Sequence, residues 1–188
     1  EWIESIKAAP VKKSMPVLSF PSIQLMNVTV KDLISSSELQ AKGMKMVADR
    51  TPASASVSLM DLSVEAECFG SEIHVSDDEV PTVTGAVISP DLDEDERMEQ
   101  AEALKVPEIG AGRTQLYIDA IEKAMTLIED RPVFAGVIGP FSLAGRLLDV
   151  TDIMVYCYDE PEMVHVVLDK VTQFIIKYIL AYKAVGAN

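Results

Sequence analysis

The side chains best suited to soft-metal or nucleophilic chemistry are Cys68, Cys157, His74 and His165. They fall in segments read as helix, helix, hairpin and helix, with no short metal-ligand spacing among them. Both cysteines read as small buried residues, and His165 as a histidine of a helix surface or of the core. No metal site is expected from these four. Carboxylates offer more. Asp61 closes an apolar run, Ala55 to Leu62, where a carboxylate can accept hydrogen bonds or hold a proton. It could equally cap the short helix that follows, a role for which Ser63 competes. Glu65 and Glu67 read as a helix face, Glu65 being the better placed because it lies one turn beyond Asp61. A further group follows the run Val133 to Ile138. There Gly139 lets backbone approach a ligand, Pro140 stiffens the turn, Phe141 offers an apolar wall and Ser142 can cap the next helix. Gln24, Met26 and Asn27 follow a third run, Pro16 to Phe20, where a substrate could touch them.

The elements that must position these residues alternate. Pro16–Phe20 reads as a strand with proline at its start, where a missing N–H costs least. SSSELQAKGMKMVADR then reads as a helix, with Ser35 and Glu38 at capping-box spacing and Leu39, Met46 and Val47 on one face. Ala55–Leu62 is a second strand, followed by a short helix, VEAECFG, stopped at Gly70. Two β-rich runs flank Ser76-Asp77-Asp78-Glu79 and predict a hairpin. After Gly110-Ala-Gly112 an amphipathic helix opens near Thr114, with Tyr117, Ile121, Ala124, Met125 and Ile128 as its buried stripe, ending at Asp130-Arg131-Pro132. Val133–Ile138 is the third strand. The last helix is capped near Asp159, with Val164, Val167, Leu168, Val171, Phe174, Tyr178 and Ile179 in register. Nearly continuous apolar strands separated by helices imply a parallel α/β sheet, its strands adjacent in chain order.

At 188 residues and 48% apolar composition the chain suits one ordinary domain. Its longest apolar stretch, Val171 to Val185, is interrupted by Gln173, Lys177 and Lys183, so no membrane span is expected. The start, EWIESIKAAP, lacks a secretory layout, and two cysteines make no disulfide framework, which fits a reducing compartment and a cytoplasmic location. A net charge of -14 repels phosphate backbones and argues against nucleic acid as a partner. The acidic run Asp91 to Glu102 reads as a solvated face, or as an acidic docking surface.

Three stretches in order, KAAPVKKSMPV, SLMDLSVEAECFG and GPFSLAGRLL, resemble the uroporphyrinogen decarboxylase superfamily, and within it the methylcobamide:coenzyme M methyltransferase branch. The resemblance implies a (β/α)8 barrel, for which about 250 residues is usual. The expectation is therefore a single partial domain, residues 1–188: an N-terminal portion with about three barrel strands plus a β-hairpin insertion. In such barrels the carboxyl ends of the strands build the active site. The resemblance thus marks Asp61 as a catalytic candidate, matching an aspartate that faces the pyrrole nitrogens in the decarboxylases. Gln24, Met26, Asn27, Glu65, Gly139, Phe141 and Ser142 become its substrate-binding candidates.

A decarboxylase acting on an octacarboxylate needs arginine forks. The decarboxylases carry an arginine just after the first strand, where this chain reads SFPSIQLMN. Of its five arginines only Arg146 is read as lying near a mouth loop. The resemblance therefore favours methyl transfer from a methylcobamide-bearing corrinoid protein to a small thiol or related acceptor. It also implies zinc, held by ligands beyond residue 188, and no cofactor bound by these 188 residues alone. The alternatives are a true decarboxylase, or a non-catalytic half-barrel that binds a corrinoid protein. Three barrel strands leave sheet edges and one sheet face uncovered, so self-association is expected as well.

Overall fold

A computed structural model of the chain describes residues 2–17 and 20–188. Helix α1 (Trp2–Ala8) is followed by α2 (Ser22–Met26), α3 (Val30–Ile34) and α4 (Ser37–Arg50). Then come β1 (Ser56–Val57), α5 (Val64–Cys68), β2 (Glu72–His74), β3 (Thr82–Thr84), α6 (Glu94–Ala103) and α7 (Thr114–Leu127). Last are β4 (Val133–Phe134), α8 (Pro140–Leu148), α9 (Val150–Asp159) and α10 (Pro161–Ala184). The result is a mixed α/β fold, mostly helical.

β1 and β4 pair in parallel, Ser56 opposite Val133 and Val57 opposite Phe134. Parallel neighbours need a long crossover, here everything from α5 to α7. Both strands are shorter than the runs Ala55–Leu62 and Val133–Ile138 predict. The reason is local. After Ser58 N–H donates to Phe134 O at 2.9 Å, the next partner of the β4 segment is the Ser58 hydroxyl, which accepts from Gly136 N–H at 2.8 Å. A side chain takes over from the backbone and the ladder stops. Gly136 also admits Met60, whose Sδ would collide with any Cβ there. The third expected strand, Pro16–Phe20, contains Leu18 and Ser19, which lie outside the described residues. The other edge of β4 meets Asn188, whose N–H donates to Val133 O at 3.0 Å.

The hairpin forms as its sequence predicts, β2 antiparallel to β3 with Ile73 opposite Val83. Helix boundaries moved by a residue or two where capping residues compete. Ser36, not Ser35, caps α4, accepting from Leu39 N–H at 3.2 Å. The buried face of α4 runs through Gln40, Ala41, Gly43, Met44 and Ala48, leaving Leu39, Met46 and Val47 half-buried. Gly43 is the reason that face can lie so close to α2: a Cβ there would meet Ser22 Oγ at 2.6 Å. α8 opens at Pro140 with Gly139 as its cap, so Ser142 sits inside the first turn and caps nothing. Proline at the first helical position needs no N–H partner and fixes the start. The last helix opens at Pro161 behind Glu160 rather than at Asp159, by the same rule. A separate helix, α9, precedes it, and Asp149 (φ 72°) makes the break while accepting from Thr151 N–H.

One core joins these helices. Leu143, Leu147, Phe174 and Tyr178 are essentially sealed from solvent, and Phe69 meets Phe174 edge-on at 5.3 Å. Along α10 the buried stripe passes through Ile175 and Tyr182, whereas Ile179 is 46% exposed. Arg97 of α6 grips Glu160 through Nε (3.0 Å) and Nη2 (2.5 Å), pinning the acidic helix to the start of α10. Among the described residues, no helix is long and apolar enough to cross a membrane.

Candidate active site

The segment after β1 turns inward at Asp61, whose side chain is fully buried. A lone buried carboxylate would be costly. The chain surrounds this one with donors. Oδ1 accepts from Ser63 N–H (3.0 Å) and from Ser63 Oγ (2.5 Å). Oδ2 accepts from Arg113 Nη1 (2.5 Å) and Tyr117 Oη (2.7 Å). Asp61 therefore does not cap α5; its hydrogen bonds close a turn before the helix and reach across to α7. With two donors on each oxygen, every ordinary approach to it is taken by the chain itself.

Arg113 holds this cluster together. Besides Asp61, its Nε donates to Glu67 (2.7 Å) and its Nη2 to Ser63 Oγ (2.8 Å). Burial alone would lower the guanidinium's pKa, but Asp61 and the hydrogen bonds more than reverse that and leave it raised. Tyr117 is pushed the same way, first by burial and then by Asp61's charge, and stays a neutral phenol donor. Sequence reading passed over Arg113 in favour of Arg146. The overlooked signals were Gly112 and Tyr117. Gly112, at φ +52°, lets the turn into α7 pass within van der Waals reach of Cys68 and Glu67, which delivers Arg113 to Asp61. Tyr117 sits in the apolar stripe with a phenol that must find a partner.

Glu65 lies one turn beyond, on α5, and is 3% exposed. Its Oε1 accepts from Ile138 N–H at 3.1 Å, bridging the segments that continue β1 and β4. Its Oε2 has no hydrogen-bond partner among the described residues. Asp61, Glu65, Tyr117, Ile138, Tyr178 and Tyr182 share a cavity of about 10 Å³, roughly the room one water needs. A separate groove of about 240 Å³ runs between Ala135, Val137, Ile179, Tyr182 and Lys183. Val137 and Tyr182 line both spaces.

None of the other sequence candidates lines this cavity, although Gly139 follows directly on Ile138. Phe141 and Ser142 are exposed on the first turn of α8. Gly139 has an ordinary φ of -74° and open space where a Cβ would be, so the fold itself does not demand glycine there. Gln24 and Asn27 are exposed, and Met26 packs with Ser22 against Gly43. Cys68 gives its thiol to the carbonyls of Val64 (3.2 Å) and Ala111 (3.1 Å). Burial, then Glu67's charge, pushes its pKa up to about 12, so it is no thiolate near neutrality. Cys157, read as a small buried residue, is exposed on α9 because the buried face of that helix is carried by Ile153 and Tyr156. His74 and His165 are exposed as well. Among the described residues no group of three or more His, Cys, Asp or Glu side chains is placed to hold a metal ion.

Residues 8–188 match the family model described as uroporphyrinogen decarboxylase (URO-D). The chain belongs to the uroporphyrinogen decarboxylase family. A methylated-thiol–coenzyme M methyltransferase of Methanosarcina mazei is 27% identical over 154 residues, covering 77% of this chain and 39% of that protein. A solved methyltransferase structure from Methanosarcina mazei superposes with a TM-score of 0.80 at 23% identity, covering 98% of this chain and 55% of that one. That likeness establishes the family fold. The chain thus spans about half the length of the relatives it matches, or less.

Proposed function

We propose that this chain is the N-terminal part of a corrinoid-dependent methyltransferase, carrying a methyl group from a methylcobamide protein to a small thiol. In this reading β1 and β4 are strands of a (β/α)8 barrel, and Asn188, bonded to the far edge of β4, begins the next step around it. The observation that carries the choice is the use of Arg113. Four of its hydrogen bonds go to Asp61, Glu67, Ser63 and Tyr117. Its guanidinium neutralises the chain's own carboxylates and is not available as a fork for a porphyrinogen's acids. A small, tyrosine-lined site that shares Val137 and Tyr182 with a groove of about 240 Å³ suits a small acceptor better than a macrocycle. The Methanosarcina mazei relative, named for a methylated thiol and coenzyme M, points the same way.

The zinc that such chemistry implies does not fit the residues described here. Cys68 is a hydrogen-bonded thiol, and Cys157, His74 and His165 are separate surface residues. The zinc ligands of this reading would follow residue 188. Exposed Ile176, Ile179 and Leu180 on α10 support self-association when these 188 residues stand alone.

The test uses the protein of the complete reading frame with methylcobalamin and coenzyme M. Formation of S-methyl coenzyme M, followed by mass spectrometry and dependent on both reactants, is the expected result. No methylated thiol under any metal supplementation would reject the reading.

A further inference from the structure

Asp61 and Glu65 line one small cavity, yet their surroundings differ in kind. Asp61 is surrounded by four donors. Glu65 has one, the Ile138 N–H on Oε1, and a second oxygen with no partner. An unpartnered oxygen on a side chain only 3% exposed is expensive unless something pairs with it. A carboxylic acid resolves the problem in one way: a proton on the free oxygen turns it into a donor.

We propose that Glu65 is a neutral, hydrogen-bond-donating acid, fixed through Oε1 by Ile138 and offering its Oε2 proton to one acceptor atom in the cavity it shares with Asp61 and Tyr117. Room of about 10 Å³ admits a single water or the tip of a ligand. The neighbouring groove shares Val137 and Tyr182 with it, and the occupant is proposed to be the sulfur or oxygen of a small molecule lying in that groove. The choice of a thiol as that molecule rests on the methyl-transfer reading; the protonation of Glu65 does not.

The charges around Glu65 agree with this. Burial raises its pKa most. The Ile138 N–H opposes that, Asp61's charge adds to it, and Arg146 on α8 pulls the other way. The groups facing it from α7 and α10, Tyr117, Tyr178 and Tyr182, all have raised pKa values and stay neutral.

The experiment compares the chain with Glu65→Gln, which keeps size and a donor but cannot titrate. A folded-state pKa above the unfolded value of 4.5 means the folded chain binds the extra proton. Its stability is therefore greatest in acid and is lost as pH rises towards the raised pKa. Relative to Glu65→Gln, the folding equilibrium constant should fall by up to about tenfold per pH unit above 4.5. Parallel stability curves would overturn the proposal. Should Glu65→Gln fail to fold, infrared spectroscopy of the unsubstituted chain with isotope-labelled glutamate decides. A protonated-carboxyl carbonyl band at neutral pH, shifted by added 2-mercaptoethanol, is the expected result. Absence of the band would overturn the protonation of Glu65, and a band that the thiol leaves unmoved would overturn the thiol as the occupant. Failure of methyl transfer with the shifted band present would reject the enzymatic reading and leave Glu65's role standing.

Discussion

Arg113 Nη1 lies 2.5 Å from Asp61 Oδ2, although 51 residues and a whole crossover separate them in the chain. This pair locks the start of α7 to the end of the β1 segment, and Ser63, Glu67 and Tyr117 complete its coordination. Removing one partner strands the other as a buried, uncompensated charge. Arg113→Met should destabilise the chain by about 3–5 kcal/mol, and so should Asp61→Leu. The double variant should lose much less than their sum. Urea denaturation of the four proteins measures this coupling, and simple additivity would show that the pair is not a unit.

A side chain at Gly136 would force Met60 to move. Alanine there meets Met60 Sδ, and overpacking of this kind costs about 1–3 kcal/mol unless the Met60 side chain swings away. Combining Gly136→Ala with Met60→Ala should recover part of that loss. A Gly136→Ala chain as stable as the parent would show that the two strand segments are not packed so tightly.

The two cysteines should differ sharply in reactivity. Cys157 is exposed, whereas Cys68 is hydrogen-bonded and has its pKa pushed up to about 12. Iodoacetamide on the folded chain near pH 8 should give one adduct, at Cys157, and a second only after denaturation. Labelling of Cys68 in the folded state at a comparable rate would contradict its placement beside Ala111.

These 188 residues by themselves should sediment as more than a monomer. α9 presents Val150, Met154 and Tyr158 at 65%, 62% and 89% exposure along one row, and α10 adds Ile176 and Leu180. An apolar surface of this extent is unusual on a soluble monomer. A monodisperse monomer at micromolar concentration would count against self-association.

The sequence made the strand–helix alternation, the hairpin and the stripe of α7 legible because each rests on local periodicity or turn chemistry. The parallel pairing of Ser56 with Val133 followed from apolar runs that only a covered sheet can use. Strand lengths were not legible, since Ser58 ends the ladder by a side-chain bond that no propensity foretells. Helix starts slipped at Ser35, Asp159 and Ser142, where adjacent serine, acidic or proline residues compete for one cap. Asp61 and Glu65, singled out for their position after an apolar run, are buried and line one cavity. Arg113 was not: its role depends on the turn at Gly112 and on a contact across 52 residues. Such a contact becomes visible only once α7 is packed in place.

The reading as a methyltransferase is tested most directly by offering one preparation of the complete protein two substrates in parallel. With methylcobalamin and coenzyme M, the account predicts thiol-dependent loss of the methyl–cobalt absorption and appearance of S-methyl coenzyme M. With uroporphyrinogen it predicts no decarboxylated product, because Arg113 is committed to Asp61 and Glu67. Decarboxylation of uroporphyrinogen without methyl transfer would contradict the account.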